Sequence, residues 1–330
     1  MKETLLCCRI TAQEKGLYRL CHDGVEQAAQ VSGKFQYEAL GPSDYPTVGD
    51  EVLADLNGGG QAVIHKVLPR KSLFLRKAAG TAREEQPVAA NVDILFLCMA
   101  LNNDFNLRRL ERYLAAAWNS GATPVVVLTK ADLCGNPSEK VAAVEEAAPG
   151  TDVLLTSAAQ EDGIRPLLPY LTPGRTVAFV GSSGVGKSTL MNGLLGKKIL
   201  ATGGLRNDDR GRHTTTRRQM FFLPCGAALI DTPGMRELGL WDSESGLETA
   251  FADIEALARQ CRFQDCRHEK EPGCAVRAAL ASGELSEERF RSWQRLSAEN
   301  RYADDRAAHM SAKEKKFRMI AQFNKSNAKR

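Results

Sequence analysis

A chain of 330 residues is longer than one typical domain, so two or three are expected. With 43% hydrophobic and 25% charged residues it can bury a core, which excludes wholesale disorder. A formal net charge of +4 is too small to name a partner, and no apolar run approaches the length of a membrane span.

No apolar stretch of a secretory signal follows Met1-Lys2-Glu3. Six of the nine cysteines (Cys7, Cys8, Cys21, Cys98, Cys134 and Cys225) stand among strand-like apolar residues and read as buried thiols of a reducing compartment. The expectation is a soluble intracellular protein.

In chain order, residues 1–72 read as short strands at Leu5–Ile10, Leu17–Cys21, Lys34–Leu40, Glu51–Asp55 and Ala62–Val67. Turn residues Pro46-Thr47-Val48-Gly49-Asp50 and Asn57-Gly58-Gly59-Gly60 punctuate them. Five such strands suit a small barrel of the OB type. The Arg83–Pro87 region reads as a linker. From Val92 onward strand-like runs (Val92–Met99, Pro124–Leu128, Asp152–Leu155, Thr176–Val180) alternate with helical stretches (Leu107–Trp118, Glu139–Ala148, Leu190–Leu195), which argues for a doubly wound parallel sheet. After Ala227–Ile230 no further strand is visible. Residues from about 243 onward read as helical around a cysteine-rich knuckle.

The segment Gly181-Ser182-Ser183-Gly184-Val185-Gly186-Lys187-Ser188-Thr189 lies between an expected strand and an expected helix, the context a phosphate-binding loop requires. Its glycines permit a tight turn whose N–H groups face phosphates at a helix N-terminus. Lys187 would reach the β- and γ-phosphates and Ser188 would ligate Mg²⁺. Thr129-Lys130-Ala131-Asp132 follows the strand ending at Leu128 and reads as a guanine reader. An aspartate there accepts the N1 and N2 protons of guanine, which adenine does not offer. Thr156-Ser157-Ala158 matches the segment whose backbone N–H contacts guanine O6, with Ser157 and Ala158 at the base. The reader precedes the loop, the reverse of an ordinary GTPase. Downstream, Asn324-Lys325-Ser326-Asn327 follows no strand and ends in Asn, so it does not compete.

Asp231-Thr232-Pro233-Gly234 follows a further strand. Asp231 would hold Mg²⁺ through water, and the Gly234 N–H would meet the γ-phosphate. Arg212-His213-Thr214-Thr215-Thr216-Arg217 supplies a first-switch threonine for Mg²⁺; spacing does not choose among the three, with Thr215 favoured. Met235 stands where many GTPases carry a water-orienting glutamine. His213 is the nearest replacement in sequence, against the alternative of a solvated loop side chain. Slow intrinsic hydrolysis accelerated by a partner is then expected.

Cys261, Cys266, His268 and Cys274 place three thiols and one imidazole within fourteen residues, a recipe for one structural Zn²⁺. Residues 1–72 carry eight Lys/Arg against nine Asp/Glu. Basic character instead gathers at Arg206, Arg210, Arg212, Arg217 and Arg218, and in seven basic residues against Glu314 from Lys313 to Arg330. Such segments bind phosphate backbones or form solvated helical faces.

The order of these motifs resembles the circularly permuted ribosome small-subunit-dependent GTPases, the RsgA/YjeQ family. The resemblance extends to Ser32-Gly33-Lys34-Phe35, Val48-Gly49-Asp50, Leu68-Pro69-Arg70, Ala90-Asn91-Val92-Asp93, Gly211–Thr216 and Glu271-Pro272-Gly273-Cys274-Ala275-Val276. It implies a multidomain protein with an N-terminal OB-fold β-barrel (1–72), a circularly permuted α/β P-loop GTPase domain (73–242) and a C-terminal helical zinc-binding domain with a basic tail (243–330). It further implies GTP hydrolysis, stimulated by the 30S subunit, in late 30S maturation. The partners implied are 16S rRNA and GTP/GDP without a membrane, for a monomeric cytoplasmic protein. Two rival classes are a free-standing P-loop kinase, which would turn over briskly without ribosomes, and an RNA-binding protein with a vestigial nucleotide site, against which Lys187, Ser188 and Asp231 count. Permutation also runs the second switch directly into the C-terminal region, a short covalent path by which nucleotide state would reorient it.

Overall fold

The computed structural model describes residues 5–14, 16–56, 60–77, 85–102, 104–160, 162–197, 199–200, 218–231, 244–298 and 301. They fall in two compact units, Met1–Gly239 and Leu240–Arg330.

The first unit opens with β1 (Leu6–Glu14), β2 (Leu17–His22), β3 (Val25–Val31), β4 (Glu51–Asp55) and β5 (Ala62–Val67). They pair in the order β1-β2-β3-β5-β4, and β4 returns to β1, so the five strands close into a barrel of OB type. Strand alternation sends Cys8, Ile10, Val52 and Ala54 inward, where they pack with Leu20, Ala29 and Ile64.

One expected strand is corrected. Lys34–Leu40 is not extended: helix α1 (Gly33–Glu38) occupies it, and the Ser32 hydroxyl caps that helix by accepting from the Phe35 N–H at 3.1 Å. The missing barrel strand is β3. It follows a two-residue turn in which Asp23 and Gly24 both have positive φ, 49° and 81°, as tight hairpins require. Of its seven residues only Ala29 is buried, so its apolar pattern is faint.

Strands β6 (Leu73–Lys77) and β7 (Glu85–Ala90) form a separate antiparallel pair. The expected linker therefore overlaps a strand from Glu85 onward. Pro87 is accommodated where the β6–β7 register shifts. The motifs around Asp50, Arg70 and Asn91 form the joint between barrel and sheet. Arg70 grips the buried Asp50 carboxylate with two bonds of 2.8 Å and also donates to the carbonyls of Ser43 and Tyr45. The Asn91 side-chain amide donates to the Gly49 carbonyl at 3.0 Å, and its carbonyl accepts from the Lys71 N–H at 2.8 Å.

The main sheet contains β8 (Ile94–Ala100), β9 (Thr123–Thr129), β10 (Val153–Leu155), β11 (Thr176–Val180), β12 (Arg218–Phe222) and β13 (Ala228–Asp231), with helices α2 (Leu107–Ser120), α3 (Pro137–Ala147) and α4 (Lys187–Leu195) between them. The strand order is β10-β9-β8-β11-β13-β12, parallel except for β12. Every residue of β8 and β11 is buried, as central strands covered on both faces must be. β12, which has no clear apolar signature because only Met220 is buried, pairs with β1 and makes barrel and sheet continuous.

Of the six cysteines expected to be buried, only Cys8 and Cys98 are; Cys7 and Cys225 are exposed. Cys7 alternates away from the barrel interior, and Cys225 lies in the turn before β13.

The second unit contains α5 (Glu244–Ala250), α6 (Ala252–Ala258), α7 (Ala275–Ser282) and α8 over 287–298. Its buried residues include Leu247, Phe251, Ile254, Val276 and Leu296. Arg289 holds Asp253 with bonds of 2.6 and 2.8 Å and lies over the Phe251 ring. Among the described residues no helix is long and apolar enough to cross a membrane.

Candidate functional site

The phosphate loop leaves the C-terminal end of β11. Gly181 has φ 152°, and a Cβ there would collide with the Cys98 carbonyl oxygen on β8, so strand packing requires glycine. Burial pushes the Cys98 thiol up to about 12, which leaves it an inert packing group beneath the loop. Helix α4 begins at Lys187 and presents its N-terminal N–H groups to the loop. The Lys187 ammonium donates to the carbonyls of Gly181 and Ser182, both at 2.7 Å. Ser188 follows in the first helical turn.

Asp231 ends β13 beside β11, in register with Phe179, so it reaches the same edge of the sheet as the loop. Burial raises its carboxyl above the usual carboxylate range, and Lys187 opposes that rise. A basic lysine, a hydroxyl and a carboxylate at the carboxyl ends of parallel strands can take a phosphate chain with a hard divalent cation.

The segments expected to read the base follow β9 and β10, on the far side of β8 from the phosphate strand. Thr129, the last residue of β9, is buried, and its hydroxyl donates to the Val185 carbonyl in the phosphate loop at 2.6 Å. Lys130 turns the chain at φ 58°. Asp132 then stands exposed, and its carboxylate accepts from the Ser157 hydroxyl at 2.5 Å. Ser157 is buried at the end of β10, where the Thr156 N–H bonds to the Leu128 carbonyl at 2.7 Å; Ala158 is exposed beside it. Thus Thr129, Asp132, Ser157 and Val185, from two distant segments and the loop, form one connected group.

The sequence did not single out two supporting residues. Gly163 lies so close to Ser157 that a Cβ would collide with the Ser157 carbonyl oxygen. Asp104, between β8 and α2, accepts from the Ser182 hydroxyl of the phosphate loop and pairs with Arg109 at 2.9 Å. The only local sign of this turn is Asn106, which caps α2.

His213, Thr214, Thr215, Thr216, Gly234 and Met235 lie outside the described residues, as do Arg206, Arg210, Arg212, Arg217 and the tail from Lys313. Arg218 is not a free element of a basic patch: its guanidinium donates to the Gln13 side chain and the Pro87 carbonyl.

In the second unit, Cys261, Cys266, His268 and Cys274 offer ligand atoms that all lie within 4.8 Å of one another. The Sγ atoms of Cys261 and Cys274 are 3.8 Å apart, and His268 Nδ1 lies 3.6 and 3.4 Å from them. Metal–sulfur bonds of about 2.3 Å and metal–nitrogen bonds of about 2.0 Å at tetrahedral angles give edges of about 3.8 and 3.5 Å, which the Cys261, His268 and Cys274 separations match, with Cys266 close enough to offer the fourth ligand. Burial lowers the pKa of His268, favouring the neutral ring a ligand needs. The ring packs against Phe290 and Trp293, while Cys274 Sγ caps α7.

The sheet places β9 and β10, which lead into the proposed base-reading segments, before the phosphate strand β11 in the chain, and in space only β8 separates β9 from β11. Together fold and site define a circularly permuted P-loop GTPase joined to an OB-type barrel. The chain belongs to the RsgA GTPase family, whose model matches residues 67–241. A model described as ABC transporter matches residues 166–329, a span that includes the phosphate loop common to P-loop proteins. The chain is 50% identical over 295 residues to small ribosomal subunit biogenesis GTPase RsgA 2 of Lactiplantibacillus plantarum, covering 89% of this chain and 83% of that one. With small ribosomal subunit biogenesis GTPase RsgA of Opitutus terrae it shares 45% identity over 327 residues, 96% and 89% of the two chains. The crystal structure of YjeQ from Thermotoga maritima is similar at a TM-score of 0.67 and 27% identity, covering 89% of this chain and 97% of that one. YloQ, described as a circularly permuted GTPase, shares the fold at a TM-score of 0.62 and 24% identity, covering 92% and 96%.

Proposed function

We propose that this chain hydrolyses GTP to GDP and phosphate as a late maturation factor of the small (30S) ribosomal subunit, docking on 16S rRNA and accelerated by the subunit. The observation that carries the guanine assignment is the Asp132 carboxylate, held by Ser157 beside a strand end that Thr129 ties to the phosphate loop. The relatives' names supply the subunit.

In this reading the loop N–H groups of Gly181 to Thr189 and the Lys187 ammonium bind the β- and γ-phosphates. Asp132 accepts from guanine N1 and N2, Lys130 lies along the base, and the backbone at Ser157 and Ala158 meets O6. Ser188, Thr215 and Asp231 would hold Mg²⁺, whose charge would offset the negative charge of the phosphate oxygens. The Gly234 N–H contacts the γ-phosphate. Since the Met235 thioether cannot polarise water, His213 orients the attacking water. Cys261, Cys266, His268 and Cys274 would hold one Zn²⁺, which, with four protein ligands, would serve a structural role. The domains are residues 1–72, 73–242 and 243–330 of a cytoplasmic monomer whose basic switch and tail contact rRNA.

Base selectivity tests the nucleotide assignment. The wild type should prefer GTP to both ATP and XTP, whereas Asp132→Asn, whose amide can donate to the C2 carbonyl of xanthine, should prefer XTP. ATP binding as tight as GTP in the wild type would overturn the assignment.

A further inference from the structure

Asp104 is an acidic residue placed against a loop that binds an anion, an arrangement that needs a reason. Its two carboxylate oxygens are used separately. Oδ2 accepts from the hydroxyl of Ser182 in the phosphate loop, and Oδ1 pairs with Arg109 at 2.9 Å. Its surroundings pre-organise it: the Asn102 side chain accepts from the Asp104 N–H at 3.1 Å, Arg109 also donates to the Asp104 carbonyl, and Asn106 caps the helix carrying Arg109 by accepting from the Arg109 N–H at 3.0 Å. On the far side, the carbonyl of the same Ser182 accepts from Lys187 Nζ at 2.7 Å. Arg109, Asp104, Ser182 and Lys187 thus form one continuous chain of polar contacts ending at the phosphate-binding ammonium.

We infer that Asp104 and Arg109 are positioning residues for nucleotide binding: Asp104 fixes Ser182, and through it Lys187, while Arg109 cancels the negative charge that would otherwise stand beside the phosphates. The inference rests on the GTP-binding reading above. A bare carboxylate at this distance repels an incoming phosphate chain, because two charges near a protein surface interact through a screened but still substantial field. The pair therefore has unequal halves. Removing Asp104 loses a tether alone, whereas removing Arg109 loses the support and unmasks the charge.

That asymmetry gives a pattern which a purely structural role does not produce. In the full chain, the affinity for a fluorescent GDP analogue should fall about fivefold in Asp104→Ala and in Ser182→Ala, with no further loss in the double variant, since both cut the same contact. Asp104→Asn, which keeps an acceptor for Ser182, should regain most of that loss. Arg109→Ala should weaken binding most, by about twentyfold, and adding Asp104→Asn to it should recover affinity. Melting temperature measured without nucleotide separates general destabilisation from these effects. Additive losses in the Asp104→Ala/Ser182→Ala double variant, or no recovery of Arg109→Ala by Asp104→Asn, would overturn the inference. Wild-type protein measured alongside separates the two claims: failure of the wild type to bind the analogue would sink the nucleotide reading itself.

Discussion

The Thr129 hydroxyl donates to the Val185 carbonyl at 2.6 Å, joining the strand that leads into the proposed base reader to the phosphate loop across 56 positions of sequence. This bond makes one site of segments whose chain order is reversed. A circular permutation moves the chain ends and leaves such contacts intact, because they depend on neighbouring strands and not on which comes first.

Replacing Thr129 by the near-isosteric Val should therefore leave the Val185 carbonyl without its donor. The expected cost is about 1–2 kcal/mol of stability, with a weaker affinity for guanine nucleotides, whereas Thr129→Ser keeps the hydroxyl and most of both. Chemical denaturation and nucleotide titration of the two variants test this; equal behaviour of Val and Ser would remove the tether from the account.

A second support lies at Gly163, where a Cβ would collide with the Ser157 carbonyl oxygen. Gly163→Ala should destabilise the protein by about 2 kcal/mol and displace Ser157 from Asp132, lowering guanine affinity. Gly135→Ala, where a Cβ meets nothing within 4 Å, serves as the control and should leave both quantities unchanged.

Asp231 carries a cost that its proposed function explains. Burial raises its folded-state pKa, so folding favours the protonated form. Its contribution to stability is fully present below the unfolded pKa and is lost as pH rises through the folded pKa, where the buried carboxylate ionises. Asp231→Asn should accordingly raise the melting temperature at pH 7.5 without nucleotide or Mg²⁺, by an increment that shrinks as pH falls. The same variant should lose on the order of a hundredfold in GTP hydrolysis. Differential scanning calorimetry over pH, together with phosphate release, checks both.

Metal removal should act on the second unit. Chelation, or Cys274→Ser, breaks the cluster and weakens the cap of α7, so helical circular dichroism should fall and the bound metal, proposed to be zinc, should be lost. Nucleotide affinity, carried by the first unit, should persist. Retention of full helicity after complete metal loss would contradict a structural role.

What could be read from the sequence was chemistry concentrated in short segments. Lys187 and Asp132 stand out as candidates because each sits at a fixed spacing after a strongly apolar strand, and the close spacing of Cys261, Cys266, His268 and Cys274 matches the cluster they form. The failures share a cause as well. β3 buries only Ala29, and β12 only Met220, so their strand character comes from pairing with neighbours that sequence alone does not identify. Lys34–Leu40 has strand-like content, but the Ser32 cap wins locally. Asp104 and Gly163 matter through partners 78 positions away in the first case and through a backbone approach in the second, and neither leaves a local pattern.

The measurement that bears most directly on the proposed function is the rate of GTP hydrolysis by the purified chain with added small ribosomal subunits, large subunits or buffer. Slow turnover alone and with large subunits, rising at least about tenfold with small subunits and falling back in His213→Ala while GTP binding is kept, is the predicted result. A rate with small subunits no higher than with large subunits or buffer would contradict it.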